Sequence, residues 1–146
     1  LVNDLKKGQP KDKFVPLYEN SKNIKIVQDA MFSSTNEVMG TSYRSRINDP
    51  KYQFAGKTGT AQVKRITEKD RELDLKTFEI PYEERDHALY IAFGPYKNPR
   101  YAISIVVEHG GNGSTTAAPM AKKLFKLVID RHSVRQSINQ KKYMEI

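Results

Sequence analysis

The chain contains 146 residues, 38% of them hydrophobic and 29% charged, and carries a formal net charge of +8. This length suits one domain with a moderate core, and no apolar run approaches the ~20 residues that a membrane-spanning helix needs. Cysteine is absent, which excludes disulfides and thiolate metal sites. The basic residues interleave with acidic ones, so they indicate a solvated surface more than a nucleic-acid site.

The first predicted helix spans Ile24–Val38, where apolar residues recur at helical spacing. Asn23 is its predicted N-cap, and Gly40 lies where a glycine commonly ends a helix. Within the helix, Ser34-Thr35-Asn36 is interpreted as a polar helix face.

A strand is predicted over Phe54–Val63, because Thr and Val favour the extended chain. Side chains alternate between the two faces of a strand, so Thr58 and Thr60 share one face. Lys57 and Gly59 share the other face, where the glycine leaves room for a ligand or another backbone.

Three interpretations of Gly56-Lys57-Thr58-Gly59 compete. A phosphate-binding P-loop requires a glycine at the position of Lys51 and a helix directly after the threonine, and neither condition is met. The second is the Lys-Thr-Gly box of serine acyl-transferases that handle penicillin, in which the lysine is a fixed positive charge beside the substrate. The third is an edge strand with an exposed lysine.

The segment Lys64–Asp86 is dense in charged residues and joins this strand to the next one. A connection of this length in a compact domain is usually functional or mobile. We predict a loop beside the site that is partly helical near Ile80–Arg85. Glu83 and Glu84 could act as an acid/base pair, but nothing in the sequence sequesters them, so an exposed face is favoured.

Two further strands are predicted over Ala88–Phe93 and Tyr101–Val107, which are rich in β-branched and aromatic residues. The segment Gly94–Arg100 contains a glycine and two prolines, which is typical of a hairpin loop, so these strands should pair antiparallel.

The segment Glu108–Thr116 contains three glycines directly before a predicted helix, Thr116–Arg131, which Thr116 would cap. Such a loop could hold an anion at the helix N-terminus or simply reverse the chain. His109 is predicted to be a loop residue, because the other histidines, His87 and His132, lie far away in the sequence. From Ser133 to Ile146 we expect a surface helix end or a loose tail.

Three runs carry a resemblance to a known family: FAGKTGTAQV at 54–63, HALYIAFGPYKNP at 87–99 and ISIVVEHGGNGSTTAAP at 103–119. In this order, and followed by a closing helix, they resemble the transpeptidase domain of class B penicillin-binding proteins, in particular the penicillin-binding protein 2 group. The resemblance covers about two-thirds of the chain. It implies an α+β fold, namely the C-terminal part of a β-lactamase/transpeptidase-like fold. An antiparallel sheet of about three strands would pack against two helices, with residues 1–132 in the domain and 133–146 in a C-terminal tail.

The resemblance also implies roles for the box. Lys57 and Thr60 would be catalytic, with the Thr60 N–H as one of two oxyanion donors. Thr58, Gly59 and Thr60 would bind the substrate, with both threonines at the terminal carboxylate of a D-Ala-D-Ala stem peptide or of a β-lactam. No cofactor and no metal are implied.

The chain departs from the family in two of its three catalytic boxes. No serine is followed by a lysine three residues later, so the nucleophilic Ser-x-x-Lys box is absent. Ser34-Thr35-Asn36 has the form of the second box, Ser-x-Asn, but it lies in mid-helix and too close to Lys57. Since the chain begins with Leu1, we expect it to be part of a longer protein and to be inactive alone.

In the complete protein, the resemblance implies a serine-type DD-transpeptidase of peptidoglycan synthesis. That protein would be anchored in the bacterial inner membrane, with this domain in the periplasm. Its expected partners are the N-terminal remainder and membrane proteins of the elongation machinery. The fragment itself should self-associate along an open strand edge at Tyr101–Val107. Two alternatives stay open: a basic, non-catalytic binding module, and a DD-carboxypeptidase or β-lactamase relative.

Overall fold

The computed structural model describes residues 20–65, 68 and 75–144, and within them two helices pack against an antiparallel sheet. Three shorter helical turns lie in the connections: 3-10 turns at Tyr43–Ser45 and Tyr82–Glu84, and a π-helical turn at Gly113–Ala117. The main elements, in chain order, are α1 (Ser21–Asn36), β1 (Ala55–Ala61), β2 (His87–Gly94), β3 (Tyr101–Val107) and α2 (Ala118–Met144). The predicted α+β fold class is confirmed.

The sheet has the strand order β1-β2-β3, and both strand pairs are antiparallel. Tyr90, in the middle of β2, lies opposite Thr58 on one side and opposite Ile105 on the other. The β2–β3 hairpin was predicted correctly, because its glycine and prolines interrupt two clear strand patterns.

One face of the sheet forms the core. Burial alternates along β2, so that Ala88, Tyr90 and Ala92 point inward. From α2, Phe125 stacks on Phe54 with ring centroids 4.9 Å apart. The opposite face is exposed, with Ile91 at 52% and Val106 at 60% of their full accessibility. Within the described residues, the helices therefore cover one side of the sheet.

The predicted helix boundaries need correction. Helix α1 begins at Ser21 and ends at Asn36, so it starts before the predicted cap. The observed cap is Asn20, whose side chain accepts a hydrogen bond from the Lys22 N–H at 2.9 Å. Asn20 and Asn23 both suit this position by residue type, and the observed start of the helix at Ser21 makes Asn20 the cap.

The second helix also starts differently. Asn112 caps the π-helical turn by accepting from the Ser114 N–H, and Thr116 lies inside that turn. The Thr116 hydroxyl donates to the Gly110 carbonyl, so it is not the predicted cap. Helix α2 then runs to Met144, which favours the helical alternative for the segment after residue 132. Within the described residues, no helix is both long and apolar enough to cross a membrane.

Candidate functional site

The four predicted site residues lie together in the middle of β1. Lys57 and Thr60 have exposed side chains, whereas Thr58 and Gly59 are half-buried. Within the described residues, β2 is the only strand that pairs with β1, so β1 has an open edge. The alternation of side chains along the strand places Lys57 on the opposite face of the sheet from Thr58 and Thr60.

Helix α1 covers the first part of this open edge. The Phe54 carbonyl accepts a hydrogen bond from the Asn36 side-chain amide at 2.9 Å, and the Gly56 carbonyl accepts from the Thr35 hydroxyl at 3.3 Å. Both carbonyls thus point away from β2 and toward α1. The side chains of Asn36 and Thr35 thus donate the hydrogen bonds that a neighbouring strand would otherwise supply to these carbonyls.

Beyond Gly56 the edge is no longer covered by these side chains. The Thr58 carbonyl accepts from the Lys57 ammonium group at 2.8 Å. Because every second residue of an antiparallel strand directs its main-chain groups to the same side, the N–H and C=O of Thr60 lie on this edge as well. The edge can therefore accept an extended peptide as an added strand, with a positive charge beside it.

A buried hydroxyl network lies behind the box. The Thr35 hydroxyl lies 3.0 Å from the Tyr90 hydroxyl and 3.2 Å from that of Ser42, which is itself 3.1 Å from Tyr90. The exposed fraction of Thr35 is 0% and that of Tyr90 is 1%. Burial raises the pKa of Tyr90, while the hydrogen bonds from Ser42 and Thr35 oppose that shift. All three hydroxyls have partners, which offsets the cost of burying them.

This network contradicts the interpretation of Ser34-Thr35-Asn36 as a polar helix face. Thr35 is fully buried, and Asn36 is partly buried against β1. The prediction failed because a polar residue on a helix is buried only when another element brings partners to it. Here those partners are Tyr90 of β2 and the Gly56 carbonyl of β1.

Sequence reasoning also missed a chain of hydroxyls that ends at the box. The Thr58 hydroxyl lies 3.1 Å from the Thr41 hydroxyl, which in turn lies 3.2 Å from the Ser34 hydroxyl. Thr41 follows Gly40, where the sequence indicated only a helix end. No local pattern reveals this contact, because it joins α1, the following loop and β1.

His109 lies in the turn that follows β3, as predicted, and His87 is its neighbour in space although the two are 22 residues apart in the sequence. Their ring centroids are 4.9 Å apart, and the His109 N–H donates to Nδ1 of His87 at 2.9 Å. Pairing of β2 with β3 brings the start of one strand next to the end of the other. His109 also lies at φ 53°, a left-handed conformation that marks the reversal of the chain. Within the described ranges, no group of three or more His, Asp or Glu side chains is arranged to hold a metal ion.

The glycine-rich loop is held by the residues that precede β2. The Gly111 N–H donates to the Asp86 carbonyl at 2.8 Å, and His109 Nδ1 lies 3.1 Å from the Arg85 carbonyl. Because a carbonyl only accepts, this contact is a hydrogen bond in the tautomer that carries the proton on Nδ1 of His109. The N–H groups of His109 and Gly111 are thus used within the protein, which favours the chain-reversal interpretation over an anion site.

The described end of the charged insert lies beside the site. The Asp86 carboxylate accepts from the Val63 N–H at 3.2 Å, just beyond the end of β1. Lys64 pairs with Glu84 at 2.5 Å. The predicted helical character near residues 80–85 is confirmed by the 3-10 turn, and Glu83 and Glu84 are exposed as expected. The insert residues 66–74, apart from residue 68, lie outside the described residues.

A sequence model of a known family, described as the penicillin binding protein transpeptidase domain, matches residues 3–126 of this chain. The peptidoglycan D,D-transpeptidase MrdA of Salmonella typhimurium is 39% identical over 105 residues, which are 72% of this chain and 16% of that protein. The protein of the same name from Haemophilus influenzae is 35% identical over 101 residues, or 69% of this chain and 15% of that protein. The chain thus spans about a sixth of the length of these curated relatives.

Solved structures show the same relationship. A complex between penicillin-binding protein 2 and MreC from Helicobacter pylori matches with a TM-score of 0.63 and 32% identity, over 86% of this chain and 20% of that chain. Penicillin-binding protein 2 of Pseudomonas aeruginosa, in complex with WCK 5153, matches with a TM-score of 0.58 and 30% identity, over 82% of this chain and 23% of that chain.

Proposed function

The chain belongs to the penicillin-binding protein transpeptidase domain family, and on that premise we propose that it is the C-terminal part of a peptidoglycan D,D-transpeptidase of the penicillin-binding protein 2 type. The observation that carries this proposal is the open edge of β1, where the Lys-Thr-Gly-Thr box lies beyond the side chains of α1 that cover the strand's first half. This arrangement suits a substrate that binds as an extended peptide.

In this proposal each residue of the box has a role that its position allows. The stem peptide lies along β1 as an added strand. Its terminal carboxylate accepts from the hydroxyls of Thr58 and Thr60, and Lys57 supplies positive charge near that anion. The Thr60 N–H, on the open edge, is one of two donors to the oxyanion of the tetrahedral intermediate. Removing a single oxyanion donor typically costs about 10²–10³ in rate.

The serine nucleophile comes from the rest of the domain, because this chain has no Ser-x-x-Lys sequence. The serine attacks the peptide carbonyl, D-alanine leaves, and a covalent acyl-enzyme forms that a second stem peptide then resolves. A β-lactam reacts with the same serine. The names of the relatives, which are D,D-transpeptidases, favour this reaction over that of a carboxypeptidase or a β-lactamase.

The same proposal extends to location and partners. The complete protein is anchored in the bacterial inner membrane, and this domain lies in the periplasm with peptidoglycan. Its partners are the N-terminal remainder of the domain and membrane proteins of the elongation machinery. The Helicobacter pylori relative, solved in complex with MreC, supports a partner of that kind.

Acylation of the full-length protein by a fluorescent penicillin tests the proposal. Lys57→Ala should slow labelling by orders of magnitude without changing the thermal unfolding temperature, because the side chain is exposed and donates a hydrogen bond to the neighbouring Thr58 carbonyl on the open edge. Lys123→Ala, which removes an exposed lysine from α2, is the matched control and should label normally. The 146-residue chain alone should not be labelled. Labelling of Lys57→Ala at the parental rate would refute the assignment of the box.

A further inference from the structure

Three hydroxyl groups from three different elements form a line toward the open edge of β1. Ser34 lies on α1, Thr41 in the loop that follows it, and Thr58 in the box, with oxygen separations of 3.2 and 3.1 Å. We infer that Ser34 and Thr41 are positioning residues that orient the Thr58 hydroxyl as a donor to the substrate carboxylate. This inference rests on the function proposed above, and it names residues outside the box that control recognition of the carboxylate.

The main chain, rather than the side chain, holds Thr41 in place. The Gly40 N–H donates to the Glu37 carbonyl at 2.9 Å, and the Ser42 N–H donates to the Ser34 carbonyl at 3.0 Å. A Cβ at position 40 would lie 2.3 Å from the Ser34 carbonyl oxygen, so only glycine allows the loop to fold so closely onto α1.

The side chain of Ser42, the residue after Thr41, also holds the loop against the end of α1. Its hydroxyl donates to the same Ser34 carbonyl at 3.0 Å, and Ser42 is buried. Thr41 therefore sits between two residues that are tied to the end of α1. Because the backbone on both sides of Thr41 is already fixed, directing its hydroxyl at Thr58 costs less conformational entropy than it would on a loose loop.

The direction of the hydrogen bonds follows from the number of protons. Each hydroxyl has one proton to donate, and an ionised carboxylate can only accept. When Thr58 donates to the carboxylate, it must accept from Thr41, and Thr41 must then accept from Ser34. Only this order uses all three protons, and it leaves the Thr58 hydrogen directed at the anion. Hydrogen bonds that point the same way also polarise one another, which strengthens the last donor.

The proposed arrangement makes a prediction that depends on the ligand. An ionised carboxylate gains more from an oriented donor than a neutral ester does, because charge-assisted hydrogen bonds are roughly twice as strong as neutral ones. Loss of Thr41 should therefore weaken recognition of an acid more than recognition of its ester. A purely structural role for Thr41 would weaken both equally.

The experiment uses the full-length protein and two β-lactams, benzylpenicillin and its methyl ester. Thr41→Val, which keeps the shape of the side chain but removes the hydroxyl, should lower the second-order rate constant for acylation by benzylpenicillin about 3- to 10-fold, as expected for one lost hydrogen bond. The rate constant with the ester should fall less, by about 2- to 3-fold, because a neutral hydrogen bond is about half as strong as a charge-assisted one. Thr41→Ser retains the hydroxyl and should restore the reaction with the acid.

A second variant keeps the inference testable if Thr41→Val should fold poorly, which thermal unfolding would reveal. Ser34→Ala should change the acid-to-ester ratio in the same direction but less, because it acts through Thr41. The matched control is Ser33→Ala, since the neighbouring Ser33 hydroxyl donates to Glu37 and takes no part in the line.

Two outcomes would overturn the inference alone: normal acylation of the Thr41→Val and Ser34→Ala variants by benzylpenicillin, or an equal loss with acid and ester. A parent protein that neither β-lactam acylates would overturn the proposed function, and this inference with it. A parent that is acylated but does not distinguish acid from ester would show that Thr58 makes no carboxylate contact.

Discussion

Gly56, directly before the lysine of the box, lies so close to Tyr90 that an added methyl group should destabilise the fold. A Cβ built there would lie 2.3 Å from the Tyr90 hydroxyl oxygen and 2.5 Å from the ring carbon that carries it. Since carbon atoms pack comfortably at about 3.5–4.0 Å, the ring would have to move by about 1 Å or more. Tyr90 is 1% exposed and bonded to Thr35 and Ser42, so it has little room to move.

The expected cost of Gly56→Ala follows from two opposing effects. Overpacking a well-filled core typically costs about 1–3 kcal/mol. Replacing glycine restricts the unfolded chain and returns about 0.4–1 kcal/mol. We therefore expect the free energy of unfolding to fall by about 1–2 kcal/mol, measured by urea titration and circular dichroism at low protein concentration.

Gly59→Ala is the matched control in the same strand. Its Cβ would lie 3.1 Å from the Cβ of Leu89, so that half-buried neighbour would have to give by only a few tenths of an ångström. The stability of Gly59→Ala should therefore stay closer to that of the parent. Combining Gly56→Ala with Tyr90→Leu, which removes the obstructing ring atoms, should cost less than the sum of the two single changes. Additive costs, or equal stability of the two alanine variants, would refute the steric explanation.

Two further predictions concern the open edge and the buried tyrosine. The isolated chain should self-associate in light-scattering measurements, because β3 is an exposed edge within the described part of the sheet. Val106→Lys on β3 should reduce the measured mass, whereas Ile26→Lys on an exposed part of α1 should leave it unchanged. A monomeric parent chain with amide protection along both edges of β3 would contradict this prediction. Burial raises the pKa of Tyr90 above its ordinary value of 10.0, so at alkaline pH the folded state keeps a proton that the unfolded state loses. The free energy of unfolding is therefore unaffected by this group below pH 10.0, and it falls as the pH rises from 10.0 toward the pKa of the folded state. The alkaline fall in the free energy of unfolding should be smaller in Tyr90→Phe, and an unchanged alkaline limb would argue against this role of Tyr90.

The strands and the box could be predicted because their signals are local. β3 was predicted with its observed bounds, since β-branched and aromatic residues fill it between turn-forming prolines and glycines. The Lys-Thr-Gly-Thr box was identified from the sequence motif at Lys57–Thr60 and from its position before the hairpin and the glycine-rich loop. The family resemblance, the antiparallel sheet and the two helices therefore followed from sequence alone.

The contacts that make the box a site depended on the tertiary structure. Thr35 was interpreted as part of a polar helix face, and no role was predicted for Thr41 or His87, yet each has its decisive partner on another part of the chain: Tyr90, Thr58 and His109, respectively. The physical reason is that a polar side chain has no fixed preference for the interior; it is buried where packing brings donors and acceptors within hydrogen-bond distance. Sequence determined which residues form the edge strand, and only the packing of α1 and its following loop against β1 decided which of that strand's groups remain open to a substrate.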